Sequence, residues 1–289
     1  MRIDLHTHTT CSDGALTPAQ LIDAATGAGV DVLAITDHDS VAAYAQLGRP
    51  PRGLQLVPGL ELTATWRRQT VHIVGLDIDP AAAALSRFLS GQTVLRDRRA
   101  ERIAAELTRA GLPPLLSAAR DLAGTGQIGR VHFAGAMVAA GLSRNRRGAF
   151  RRYLGRGKAG DVRAAWPGVA ASVAAIRQAG GIAVLAHPLA YGLTRSKLGE
   201  LCSDFAAAGG RAIEVVSGAQ AAAESAELAR LAARTGLRAS LGSDFHGPGQ
   251  PWRTLGGTPA LPAGAQPAWE LRDGGVAFPA SAAQESITA

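Results

Sequence analysis

The chain has 289 residues, 47% of them hydrophobic and 4% aromatic, with a formal net charge of +7. That length carries a full core, as one large α/β domain or a barrel with an insertion, and no apolar run is long enough to span a bilayer. Its two cysteines, Cys11 and Cys202, form no spaced pair, which argues against a disulfide framework or a thiolate zinc site and fits a reducing cytoplasm.

The positive charge sits mostly on scattered arginines, a distribution that suits an anionic substrate and says little about long nucleic acids. Residues 2–5 read as a short strand closing on His6 and His8, with Asp13 just beyond. Thr17 and Pro18 are an N-cap and a first helical position for a helix through Ala28. Residues 30–35 form an apolar run broken only by Asp31, as in a strand buried on both faces, and the run leads to Asp37 and His38. Two further strands, 54–57 and 71–76, bring Glu61 and His72 near their ends. From 169 the alternation resumes: helix 169–179, strand 182–185 ending at His187, helix 196–208, strand 212–216, helix 221–235, and strand 238–241 ending at Asp244 and His246.

Repeated strand-then-helix units imply a parallel sheet or barrel, which places its chemistry at the carboxyl ends of the strands. Most of the histidines and their neighbouring carboxylates fall there; His72, near the start of its strand, fits less well. The stretch 80–165 breaks the pattern, with helical composition, no convincing strand and many arginines, including Arg144, Arg146, Arg147, Arg151 and Arg152. It reads as a helical insertion over the strand ends, these arginines forming a solvated face. The expected organisation is therefore a discontinuous barrel, 1–79 and 166–265, with an insertion 80–165 and a weakly patterned, partly disordered tail 266–289.

His6 and His8 are two apart, so at a strand end both imidazoles point the same way. Followed by Asp13, and echoed by Asp37-His38 and Asp244-x-His246, the pair reads as part of a multinuclear metal site, imidazoles interleaved with charge-balancing carboxylates. These blocks, with Gly59-x-Glu61, His72 and Ala186-His187-Pro188, resemble the polymerase-and-histidinol-phosphatase (PHP) family, in order, over about 1–78 and 169–257. The resemblance implies a distorted seven-stranded β/α barrel holding two to three divalent metal ions, manganese first, with zinc or iron as alternatives. It implies that His6, His8, Glu61 and Asp244 hold one ion, that Glu61 bridges to a second completed by His72 and His187, and that Asp13, His38 and His246 hold a third. Asp37 and Asp39 then orient imidazoles, although Asp39 reads equally as an N-cap for a helix after Ser40.

Such a centre suits phosphoester hydrolysis by metal-activated water, with no covalent intermediate on the protein. Within the family, Gly129-Arg130-Val131-His132-Phe133-Ala134 and Tyr153-Leu154-Gly155-Arg156-Gly157-Lys158 resemble a subgroup acting on nucleoside 3′,5′-bisphosphates and on the 5′ ends of short RNA. Val131 replaces a usual proline, and Ala159-Gly160-Asp161 departs from the usual Pro-Ala-Tyr, so base preference stays open. The resemblance makes Arg130, His132, Arg195 and Lys197 candidate substrate contacts; the last two read equally as solvated first-turn cations. The leaving-group proton is left to a water on the third metal or to His132. The expectation is a cytoplasmic hydrolase that removes the 3′-phosphate of a bisphosphate and trims short RNA, with no membrane association or obligate protein partner. The alternatives are a histidinol phosphatase or other small phosphomonoesterase, a polymerase-accessory metal-binding module, and a nucleotide-binding regulator.

Overall fold

Short apolar strands alternate with alanine-rich helices in the computed structural model, which describes residues 1–48 and 51–271. β1 (Ile3–Asp4), β2 (Val32–Ile35), β3 (Gln55–Trp66), β4 (Gln69–Leu76), β5 (Ile182–Leu185), β6 (Ala212–Ser217) and β7 (Arg238–Gly242) form one seven-stranded sheet in sequence order. The sheet closes on itself. Leu5 N–H donates to Leu241 O at 3.3 Å, Asp244 N–H to His6 O at 2.9 Å, and Thr7 bridges Phe245 in parallel. This is a distorted, nearly closed β/α barrel, as the resemblance implied.

The local expectations hold where the signals are local. α1 (Pro18–Gly27) starts with Thr17 as N-cap in a capping box with Gln20 and buries Leu21, Ile22 and Ala25. All four residues of β2 are buried, as a strand covered on both faces requires. Two expectations change. The strand expected at 54–57 runs on for 12 residues as β3, so Glu61 lies inside it rather than just past its end. A two-residue turn at Arg67-Arg68 returns the chain as β4, antiparallel to both β3 and β5, so the barrel is not uniformly parallel. So tight a connection can only reverse a strand; a parallel neighbour needs a long crossover. The reversal accounts for His72. The start of an antiparallel strand lies at the same barrel end as the finish of its parallel neighbours.

A short α2 (Ala42–Gln46) follows β2, and α7 (Val169–Gln178), α8 (Arg195–Ala207) and α9 (Ala222–Arg234) cover the second half of the barrel. Between β4 and α7, residues 80–165 hold helices and no strand: α3 (Ala83–Arg109), α4 (Leu116–Ala123), α5 (Arg130–Ala139), α6 (Arg146–Ala149) and a π-helical turn, Phe150–Leu154. Their apolar faces make a separate core around Ile103, Leu107, Phe133, Met137 and Leu154. α3 joins the two units, with Leu85 and Leu89 packed in the barrel core and Ile103 and Leu107 in the helical one.

Of the tail expected from Gln266, residues 266–271 lie against β7: Ala239 N–H donates to Gln266 O at 2.8 Å, and Ala268 is buried. The rest of that expectation falls outside the described residues. Among those described, no helix is long and apolar enough to cross a membrane.

Candidate metal centre and substrate cavity

Six histidines and three carboxylates converge at the strand ends of the barrel. His6 and His8 leave β1 on the same side, their Nε2 atoms 3.1 Å apart, while Thr7 between them turns outward to donate to Ala34 O. His6 can approach β7 so closely because residue 242 is glycine; a Cβ there would lie 2.3 Å from His6 Cβ. Glu61 is fully buried and is the hub. Its Oε1 lies 3.0 Å from His72 Nδ1 and 2.9 Å from His187 Nε2, and its Oε2 lies 2.8 Å from His38 Nδ1 and 3.4 Å from His6 Nε2. Asp244 Oδ1 is 3.3 Å from His8 Nε2, and Asp13 Oδ1 is 3.2 Å from His246 Nε2.

Seven of the nine fall into three overlapping groups of donor atoms: His6, His8 and Glu61; His38, Glu61 and His72; and His8, Asp13, His38 and His246. His187 and Asp244 lie outside these groups and adjoin them through Glu61 Oε1 and His8 Nε2. The structure thus brings all nine expected residues together, with His8 and His38 standing nearer to neighbouring groups than the simple three-way division allows. Glu61 Oε2, Asp13 Oδ1 and His38 Nδ1 are buried without a properly directed hydrogen bond. Buried polar atoms are rarely left so, and these three sit among further imidazoles and carboxylates. That is the donor chemistry a set of divalent cations satisfies.

The electrostatics match. Burial alone would raise the Glu61 carboxyl, yet His38, His72 and His6 hold it well below the usual carboxylate range. Burial disfavours charge on His246, but Asp13 and Asp244 raise it to about 9. Burial, then the charge on His246, pushes His8 down to about 3. The backbone is strained at the same place. His187 has φ 26° and Asp244 φ 54°, left-handed values that cost a non-glycine residue about 1–3 kcal/mol and concentrate at functional sites.

Four residues that sequence reasoning passed over hold these groups. Glu214, buried in β6, accepts from His6 Nδ1 at 2.6 Å and from the His187 N–H at 2.6 Å. A lone acid inside the apolar run 212–216 was its only signal. Arg253 reaches Asp244 Oδ2 at 2.6 Å, leaving Oδ1 toward the histidines. The buried Tyr191 hydroxyl accepts from the His72 N–H at 2.9 Å. Asp4 accepts from the Ser243 N–H at 2.8 Å, and burial raises its carboxyl to about 6 despite that bond.

Asp37 and Asp39 differ from expectation. Asp37 touches no imidazole. It accepts from Thr9 N–H and Oγ1 and from Ser12 Oγ, whose hydroxyl in turn lies 3.5 Å from His8 Nδ1. Asp39 neither orients an imidazole nor caps a helix. Its carboxylate accepts from Thr63 N–H and Oγ1, from Gln92, and from the Arg96 guanidinium at 2.6–2.7 Å, pinning α3 to β3.

Beside the histidines lies a cavity of about 430 Å³ between the barrel mouth and the helical segment. Asp13, His38, His72 and His187 line one side, and Arg68, Arg99, Arg130, Arg156 and Arg163 the others, with Trp166. Among these arginines, burial first and then the neighbouring Arg130 and Arg96 bring Arg99 down to about 9. Of the expected substrate contacts, Arg130 is in this wall, 3.6 Å from Asp161 and donating to Leu154 O. His132 is buried behind it, its Nδ1 accepting from the Gly129 N–H, and does not line the cavity. Arg195 and Lys197 lie exposed at the start of α8, away from it. Arg195 forks onto Glu227, with Nε 2.7 Å from Oε1, so the nearer carboxylate occupies it. The arginines expected on a solvated face, Arg144, Arg146, Arg147, Arg151 and Arg152, are all exposed, and all but Arg146 line a separate, outward cavity of about 900 Å³. With no imidazole in that lining, it is the smaller cavity that adjoins the chemistry.

Comparison with known proteins bears on this geometry. Residues 4–118 match the PHP domain. The 5′-3′ exoribonuclease Rnm of Escherichia coli is 42% identical, over 93% of this chain and 92% of its own length. A 3′,5′-nucleoside bisphosphate phosphatase of Chromobacterium violaceum is 41% identical, over 96% of this chain and 99% of its own. Among solved structures, one described as an amidohydrolase from Chromobacterium violaceum, with bound sulfate and no metal, overlays with a TM-score of 0.87 at 41% identity. It covers 93% of this chain and 95% of that one.

Proposed function

The chain belongs to the PHP family of metal-dependent phosphoesterases, and on that premise we propose that it hydrolyses the 3′-phosphate of nucleoside 3′,5′-bisphosphates and trims short RNA from a 5′-phosphorylated end. The observation that carries the proposal is the arginine-walled cavity opening directly onto the imidazole–carboxylate cluster. One phosphate over the histidines and a second against Arg99, Arg130, Arg156 or Arg163 is what a nucleoside bisphosphate offers, and guanidinium forks suit it. Histidinol phosphate has one phosphate and a cationic ammonium, so with that phosphate over the histidines it offers the arginine wall no second anion.

In this reading His6, His8, Glu61 and Asp244 hold one divalent ion, Glu61, His72 and His187 a second, and Asp13, His38 and His246 a third, with manganese the leading candidate. Ions held there supply Lewis acidity and activate water near neutral pH. The chain's own residues do the positioning. Glu214 takes the proton side of His6 Nδ1 and leaves Nε2 free to face the cluster. Arg253 fixes Asp244, and Tyr191 fixes the backbone at His72. The arginine wall anchors the 5′-phosphate and Trp166 borders the nucleoside. Water adds to the 3′-phosphorus, the bond to the 3′-oxygen breaks, and that oxygen takes up a proton. His132 does not face the cavity, so it positions the Asp13 loop rather than donating that proton.

Residues 80–165 are, in this reading, a recognition unit set on a discontinuous barrel, and the protein works on small nucleotides in the cytoplasm. The test is to incubate manganese-loaded protein with adenosine 3′,5′-bisphosphate and identify the nucleotide product. Adenosine 5′-monophosphate with inorganic phosphate is expected; the 3′-monophosphate, or no turnover beside active histidinol phosphate hydrolysis, overturns the assignment.

A further inference from the structure

Few large apolar side chains are exposed among the described residues, and two of them share one cavity. Trp252 is 57% and Leu189 41% exposed, and both line a space of about 300 Å³ whose other walls include His187, Arg253, Ser217 and Gln220. His187 and Ala190 line this space and the arginine-walled cavity alike, so the two open on either side of a candidate metal ligand. One is walled by the arginines; the other holds the Trp252 indole, with Arg253 and Glu224 also in its lining.

The Trp252 backbone is held although its ring is not. Ala219 N–H donates to Trp252 O at 2.8 Å, and the Gly218 N–H donates to Gly242 O at 2.9 Å. Gly218 has φ 55°, and a Cβ on it would fall 2.4 Å from Trp252 O, so that close approach depends on the glycine. On the other flank, Arg253 is fastened to Asp244. An indole left in water on a fixed segment at the mouth of a site is a stacking platform awaiting a flat apolar partner.

We propose that the Trp252–Leu189 cavity binds the base of the second nucleotide of an RNA substrate, the one that stays attached to the phosphorus when the bond to the first nucleotide's 3′-oxygen breaks. The proposal rests on the RNA part of the function given above. With the 5′-terminal nucleotide held on the arginine side and its 3′-phosphate at the histidines, the chain continues past His187 into this space. A nucleoside 3′,5′-bisphosphate places nothing there, because its 3′-phosphate carries no further nucleotide. Stacking needs only the π-face of a base, so this subsite tolerates any sequence.

The experiment compares kcat/KM for adenosine 3′,5′-bisphosphate and for 5′-phosphorylated diadenylate in wild type, Trp252→Ala and Trp252→Phe. Trp252→Ala is expected to leave bisphosphate hydrolysis within about twofold and to lower diadenylate hydrolysis roughly 5- to 150-fold, the factor that about 1–3 kcal/mol of base stacking represents. Trp252→Phe should recover most of that loss. Equal losses on both substrates would overturn the proposal by assigning Trp252 to the first nucleotide or to the fold, and an unchanged diadenylate rate would overturn it outright. Wild-type protein that cleaves the bisphosphate and leaves diadenylate intact would end the RNA reading and this proposal together, with the phosphatase reading standing.

Discussion

Glu214 binds the His6 ring with one carboxylate oxygen and the His187 backbone with the other, and so fixes two candidate ligands from different strands. Glu214→Gln can satisfy only one of these donors. We expect it to weaken metal binding about 10- to 100-fold while the protein stays folded, read by metal titration beside circular dichroism. His187→Ala removes the donor itself and should abolish hydrolysis with the fold retained; an active variant would contradict the ligand assignment. Arg195→Ala should change little, since that guanidinium is spent on Glu227, and KM for the bisphosphate is expected to stay within about twofold. His246 gives a pH prediction. Asp13 and Asp244 overcome its burial and raise it to about 9, so it is protonated at pH 7 in metal-free protein. An imidazole must lose its extra proton to bind a metal, so loading should release protons at pH 7 and apparent affinity should rise with pH toward about 9. A pH-stat during manganese addition measures this directly.

At the level of elements, the buried Asp39–Arg96 pair ties the helical segment to the barrel, with Gln92 and Thr63 completing its hydrogen bonds. Arg96→Ala leaves a buried carboxylate without its cation and is expected to cost about 3–5 kcal/mol, measured by urea unfolding. An Asp39→Asn, Arg96→Met double variant should recover much of that loss, because both charges go at once. This pair was not legible in the sequence: its partners are 57 positions apart, and Asp39 follows a ligand motif that offered it a nearer role. Strand ends carrying ligands were legible because each motif is local, as at His6-x-His8, Asp37-His38 and Asp244-x-His246. The length of β3 was not. Its burial does not alternate, and Glu61 looks like a terminator until the hairpin is seen to run through it. Once β4 is known to be antiparallel, His72 ceases to be an exception.

For the molecule as a whole, chain order predicts a barrel of seven strands with a helical unit inserted, and the arginine wall arises only when that unit folds over the barrel mouth. Arg68, Arg99 and Arg163 lie outside every motif of the sequence, and Arg156, although inside the Tyr153–Lys158 element, carried no signal of its own for the wall. Arg130 lay in a recognisable motif and reached the wall; Arg195 and Lys197, candidates on the same resemblance, did not. Hydrolysis in this fold is expected to depend on divalent metal held by the imidazole–carboxylate cluster. The most direct test of that dependence is phosphate release from adenosine 3′,5′-bisphosphate by chelator-stripped protein, followed as manganese is added back and bound metal is counted per chain. No turnover is expected in the stripped protein, with activity returning in step with two to three bound ions. Turnover by the stripped protein, or full folding with no metal bound at saturating manganese, would contradict that dependence.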